Sequence, residues 1–351
     1  MFVKHSRFPI RQMLTEGILP LPLKLAYYRR RGAKIGANVV IGAGSVIVAD
    51  EIEIGEGASI GFGTYLRARH VRIGRFARIG SVSFFDAETI EIGEDAKISE
   101  QVFVGGLSSP ESHFHLGART ILMQHTFINV ARPVFIGDDT GIGGKCTIFT
   151  HGSWQNMLDG YPVAFAPVTI GNNVWIPWQV FIMPGVKIGD GATIGAGSLV
   201  TKDVPASSLA VGAPAKILKT AEQYPVKPDE GQRKIMLQQM LDEFCAYLVH
   251  AGFAVNRNDQ TKTDLVSVND HGAQSHKLMV CYEPVENLLQ LPVELVVSLP
   301  GLANAERQLL TDNGQMWLDI ANKQRGGASL PLGEELAEFI KRYGVRFERM
   351  N

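Results

Sequence analysis

The chain has 351 residues, 45% of them hydrophobic and 20% charged, with a formal net charge of −1. This length accommodates two domains, and the near-neutral balance lacks the basic excess typical of nucleic-acid binders, so no nucleic-acid partner is expected. Cys146, Cys245 and Cys281 form no CxxC or Cys/His ligand pattern, so neither a metal site nor a disulfide framework is expected, and a reduced, cytoplasmic setting fits.

No apolar run is long enough to predict a membrane span, and MFVKHSRFPIRQ lacks the apolar core of a signal peptide. Residues 1–32 read as a helical capping segment. There and just beyond, Lys4, Arg7, Arg11, Lys24, Arg29, Arg30, Arg31 and Lys34 face only Glu16. One reading is a capping helix whose basic residues stand in water. The other, prompted by the apolar stretch GILPLPLKLAYY, is peripheral contact with an anionic membrane surface or a lipid-linked substrate at the inner face of the membrane.

From residue 33 a six-residue rhythm takes over. Ile35, Ile41, Ile47, Ile54, Ile60, Leu66, Ile73, Ile79 and Phe85 open the series, and Ile170, Ile176, Ile182, Ile188, Ile194 and Val200 close it. Two residues before these sites stand small or β-branched side chains such as Ser45, Thr64, Thr126 and Cys146, and many sites are followed by glycine, as in IGAGSV and IGDGAT. Neither a 3.6 nor a 2.0 period yields this pattern. It describes a flat strand plus a tight corner, three strands per triangular coil, stacked into a solenoid. The ending VWI…PGV.IGDGA.IGAGS.VTKDVP…GAPAK resembles the acetyl-CoA-dependent branch of the hexapeptide-repeat transferases. The resemblance implies a left-handed parallel β-helix over residues 33–220, acetyl-CoA as donor, and a homotrimer with active sites between subunits.

The rhythm breaks most strongly between Ile148 and Ile170, at FTHGSWQNMLDGYPVAFAPV. Loops inserted into a repeat often carry function. In the resembled family a His in this place is the general base, which makes His151 the candidate here; imidazole suits the task because it titrates near neutrality. Asn129 follows Ile128 one coil earlier and is expected within reach of His151, either orienting the base or acceptor or relieving a corner. Asp159 is a candidate to fix the His151 tautomer. Trp154, Asp159, Tyr161 and Trp175 are the acceptor-side candidates. His113, His115 and His125 have no metal-ligand spacing. On the donor side the resemblance assigns coenzyme contacts to Ala196, Gly197, Thr201, Lys202 and Lys216. The chain departs from the family at Pro177 and Trp178, where small residues are usual; Trp178 either redirects the donor channel or points away.

Residues 221–231 read as a polar linker, and residues 232–351 as a small α+β accessory domain. Its expected elements are a helix in QRKIMLQQMLDEFCAYLVHAG, strands in HKLMVCYE, VELVVSL and QMWLDIAN, and a last helix in GEELAEFIKRYG. Trp317, Asp319, Lys323 and Arg325 read as a strand and its solvated end, with a binding patch as the alternative. The expected function is O-acetylation of a sugar or glycan by direct attack in a ternary complex. The alternatives are N-acetylation of an amino sugar or antibiotic, and a catalytically silent β-helix.

Overall fold

Short strands, mostly of two to four residues and one per six-residue repeat, build the first of two units that divide between Val226 and Lys227. The structure, a computed structural model, describes residues 10–107, 109–152, 155–259, 262–269, 275–284 and 293–350. Each coil gives one strand to each of three parallel sheets. The first sheet starts at Lys34–Ile35, the second at Val40–Ile41 and the third at Val46–Val48. Ile54, Ile73, Ile92, Leu116, Ile136, Ile170 and Ile188 lie in register along the first sheet. All seven are buried, and each such side chain contributes about 1.5–3 kcal/mol when taken from water.

The small or β-branched site two residues earlier has a polar reason. Buried hydroxyls there donate to carbonyls at the corner of the next coil. Thr64 donates to the Gly80 carbonyl at 2.8 Å, Thr126 to Gly143 at 3.1 Å, Thr120 to Gly137 at 2.7 Å and Thr140 to Gly171 at 2.8 Å. Cys146 takes the same place with Sγ 3.0 Å from the Pro177 carbonyl. Corner carbonyls that the strands leave unpaired are thus satisfied inside the solenoid.

A solenoid needs its open end covered. Helices α1 (Ile10–Thr15) and α2 (Leu21–Arg30) precede the first coil. Lys24, one of the basic residues read as solvated, is instead fully buried, with Nζ donating to the Gly17 and Gly42 carbonyls at 2.9 Å and to Ser45 at 3.2 Å. Tyr28 is equally buried, and its hydroxyl accepts the Ile47 N–H at 2.9 Å. The two side chains supply partners to backbone groups for which this end of the β-helix has no further coil.

The second unit holds a seven-stranded mixed sheet. Ala254–Asp259, Thr263–Asn269 and Ser275–Cys281 form an antiparallel meander; Leu295–Ser298 and Met316–Asp319 continue it in parallel. Helices α3 (Glu230–His250) and α5 (Pro331–Ile340) share one core with the sheet, and the helix between them, α4 (Asn304–Asp312), belongs with the other face. Helix α3 starts at Glu230, inside the stretch read as linker, because Asp229 and Gln232 form a reciprocal capping box. The reading of Trp317, Asp319 and Arg325 as a solvated strand end is corrected: all three are buried. Asp319 accepts from Arg307 at 2.7 Å and from the Leu302 N–H at 2.9 Å, and Arg325 pairs with Glu334 at 2.8 Å. The architecture is the expected parallel β-helix with a small α+β unit.

Candidate active site

Aromatic side chains climb the outer face of the third sheet. Tyr65, Phe84, Phe103 and Phe127 occupy one register position on successive coils, with neighbouring ring centroids 5.0–5.3 Å apart. On the next coil that position holds Thr147, too short to continue the stack. Phe149 fills the gap, 5.5 Å from Phe127 and 5.4 Å from Phe181 of the following coil. Aromatic pairs at such spacing contribute about 0.5–1.5 kcal/mol beyond their burial. The stack therefore pins the chain two residues before His151, where it leaves the coil.

His151 and Gly152 pair antiparallel with Ala164 and Phe165 across the base of the inserted loop. The Phe165 ring stacks on the imidazole at 5.5 Å, and the Arg132 guanidinium lies 5.2 Å from that ring's centroid. Arg132 is held by Glu111 at 3.0 Å. His151 Nδ1 lies 2.8 Å from Asn129 Oδ1. Asn129 is buried and its Oδ1 also accepts from the Ala131 N–H at 3.2 Å and lies 3.0 Å from Thr150 Oγ1. A backbone N–H can only donate, so the oxygen of the carboxamide faces Ala131. That oxygen can only accept, so the proton in the imidazole bond sits on Nδ1. Nε2 is left with its lone pair, as a general base requires.

Asp159 is not the group that fixes this tautomer. It is exposed and accepts from Asn156 Nδ2 at 2.9 Å; the inner carboxamide of Asn129 is already in place on Nδ1. Tyr161 is exposed on the same loop, and Trp154 lies outside the described residues. Trp175 projects from the second sheet, in register with Gly141 and Thr193, so within one chain it stands on a different face from His151. Of the histidines, His115 pairs with Glu91 at 3.0 Å on the first sheet, His113 lies on the same strand, and His125 sits at a corner between the second and third sheets. A cleft of about 810 Å³ on the first sheet is lined by charged side chains including Lys34, Glu53, Arg75 and Glu94, which pair with one another. It lies off the edge that carries His151.

The donor-side candidates flank the third sheet. Ala196 and Gly197 form an exposed corner on its edge with the second sheet, and nothing lies within 4 Å of where a Gly197 side chain would start. Trp178 occupies the same edge one coil earlier. Its ring covers Gly144 on the coil before, where a methyl group would meet Cζ3 at 2.4 Å. Trp178 therefore turns away from Gly197, and the corner stays open. Thr201 and Lys202 are exposed on the edge that carries His151, and Lys216 is exposed on the strand Ala215–Lys219 that closes the β-helix.

Four residues around the His151–Asn129 pair escaped the sequence reading: Thr150, Phe165, Arg132 and Gly106. Gly106 has φ +135°, and a Cβ there would come within 2.1 Å of Asn129 Nδ2. The available signal was register: Gly105 pairs with Asn129, so the GG step where the rhythm falters lies beside the Asn.

The description "Bacterial transferase hexapeptide (six repeats)" matches residues 167–202, and "Hexapeptide repeat of succinyl-transferase" matches residues 32–68. The galactoside O-acetyltransferase of Escherichia coli (strain K12) is 39% identical over 111 residues, 31% of this chain and 54% of that protein. A provisionally named acetyltransferase of Schizosaccharomyces pombe is 54% identical over 100 residues, 28% of this chain and 47% of that protein. Another, from Staphylococcus aureus (strain Mu50), is 48% identical over 67 residues, 19% of this chain and 33% of that protein. The chain thus spans about half, or less, of the length of the curated relatives it matches. In its six-residue core the chain thus carries the hexapeptide repeat at both ends of the β-helix, and over part of its length it is similar to acetyltransferases built on that repeat.

Proposed function

We propose that the chain transfers an acetyl group from acetyl-CoA to a hydroxyl of a sugar or glycan precursor, with His151 as general base. The observation that carries this is the His151–Asn129 bond, which puts the proton on Nδ1 and leaves the lone pair on Nε2 at the base of the inserted loop. The acceptor O–H gives its proton to Nε2 while its oxygen bonds to the thioester carbon. The carbon–sulfur bond then breaks, and the coenzyme thiolate takes the proton back from Nε2. No residue forms a covalent link to the acetyl group. Cys146 is unsuited to that role: it is buried in the core, and burial pushes its thiol up to about 11.

The donor fits the residues present. The bare Ala196–Gly197 corner admits a pantetheine arm against the backbone, and Lys202 and Lys216 supply exposed charge for its phosphates. The exposed Tyr161 and Phe165 give the loop apolar surface for a sugar ring. Within one chain the Gly197 corner and His151 lie on different edges of the prism, so we assign the complete site to a trimer, in which one copy's edge faces a neighbour's loop.

The test is thiol release from acetyl-CoA against a panel of sugars and glycan fragments, with the product treated with hydroxylamine. An acceptor-dependent, hydroxylamine-labile ester supports the reading. A stable amide replaces it with N-acetylation, and absence of acetyl-CoA binding by calorimetry replaces it with a non-catalytic β-helix.

A further inference from the structure

We propose that the N-terminal end of the β-helix docks on an anionic lipid surface. Ile10 and Leu14 lie one turn apart on α1, followed by Ile18 and Leu23, and all four are between 58% and 68% exposed. Phe62 and Val82, on the edge that the proposed trimer turns toward a neighbour further along the β-helix, are 61% and 55% exposed in the single chain. The two groups adjoin. The Gly44 N–H donates to the Gly17 carbonyl at 2.7 Å, next to Ile18, and the Phe62 ring lies beside Gly44. Val82 follows one coil on, its N–H donating to the Phe62 carbonyl at 2.7 Å.

Isolated exposed apolar residues are ordinary, but a contiguous group of this size marks an interaction surface. Capping the solenoid does not require these side chains, because Lys24, Tyr28, Leu21 and Leu25 already cover its core end. The charge around the patch names the occupant. Arg11 and Arg30 on the two helices are exposed, as are Arg78 and Lys97 on the neighbouring outer face of the second sheet. Glu16 has one carboxylate oxygen buried, and the exposed acid on this edge is Glu100, one coil beyond Val82. A second copy presenting the same patch would set arginine against arginine. Anionic headgroups neutralise those charges while the region below them takes up the aliphatic side chains. A surface built this way holds the protein on the bilayer without crossing it; among the described residues no helix is long and apolar enough to span a membrane.

The experiment is co-sedimentation of the full chain with vesicles of phosphatidylcholine alone and of an equal mixture of phosphatidylcholine and phosphatidylglycerol. The protein should pellet with the mixed vesicles and remain in solution with phosphatidylcholine alone. A variant carrying Ile10→Ser, Leu14→Ser and Ile18→Ser should lose the binding. Arg11→Gln and Arg30→Gln should each weaken it about fivefold, the equivalent of about 1 kcal/mol per basic residue near such a surface. Unchanged melting temperatures show that the variants are folded. No binding of the wild type to the mixed vesicles overturns the proposal, as does binding that neither set of changes affects. A fall in particle mass of the serine variant by light scattering also overturns it, because a second copy then covers the patch.

Discussion

Gly106→Ala is the substitution that probes the site most selectively, because it touches neither substrate nor base. A Cβ at this position would lie 2.1 Å from Asn129 Nδ2 and 3.1 Å from its Cγ, against the 3.4 Å at which ordinary contact begins. The carboxamide must therefore give way by about 1.3 Å. Its bond to His151 Nδ1 is 2.8 Å long, and a shift of that size takes it out of hydrogen-bonding range. The φ of +135° adds backbone strain for any side chain, about 1–3 kcal/mol of stability. Misplacing a catalytic group by about 1 Å costs on the order of 100-fold in rate, so kcat/KM should fall about 100-fold while the protein remains folded. The assay is steady-state acetyl transfer alongside thermal melting, in a cycle with Asn129→Ala. If the methyl group acts through Asn129, adding Gly106→Ala to Asn129→Ala should cost little further activity. Two losses that simply multiply, or full activity in Gly106→Ala, would refute the coupling of Gly106, Asn129 and His151.

Two further predictions concern the donor edge and the second unit. Gly144→Ala places a methyl 2.4 Å from the Trp178 ring, so the ring must leave its seat; KM for acetyl-CoA should rise several-fold, whereas Trp178→Ala should leave it near wild type. An unchanged KM in Gly144→Ala would mean that the coenzyme does not pass this corner. Burial pushes the Asp319 carboxyl up, but hydrogen bonds from Asn322, the Leu302 N–H and Arg307 outweigh it and hold it below its ordinary 3.8. A depressed carboxyl stabilises the folded state above its unfolded value and loses that contribution as pH falls through the folded one. Acid unfolding of the wild type below about pH 4 should therefore include this group. Asp319→Asn should be less stable by about 3 kcal/mol at neutral pH, since Arg307 loses its partner, and flatter in acid; equal stability at pH 7 in denaturant titrations would contradict the pairing.

The β-helix was legible because its period repeats at every coil and its core residues vary so little. The corner hydroxyls were visible as small residues, but their purpose emerges only when the next coil's carbonyl is in place above them. His151 and Asn129 were found because a break in a strict rhythm is conspicuous. Phe165 was missed because it reaches His151 across the loop, and Arg132 because it touches the Phe165 ring from the coil before, at sequence distances that no period encodes. Lys24 looked like part of a solvated basic stretch, since nothing local reveals that Gly17, Gly42 and Ser45 converge on its ammonium. In the second unit the hairpin from Ala254 to Asn269 went unread: NRND and TKTD offer polar residues where a strand signal was sought. Asp319 and Arg325 were assigned to solvent for the same reason, because pairing across a fold is what buries a charge.

If Nε2 of His151 takes the acceptor's proton, His151→Ala must lose acceptor-dependent thiol release relative to the wild type, with acetyl-CoA binding measured in parallel. Transfer should fall by about 100-fold or more, the range of general-base catalysis, while acetyl-CoA still binds and the melting temperature holds. Transfer at the wild-type rate in a folded His151→Ala protein would contradict this role of His151.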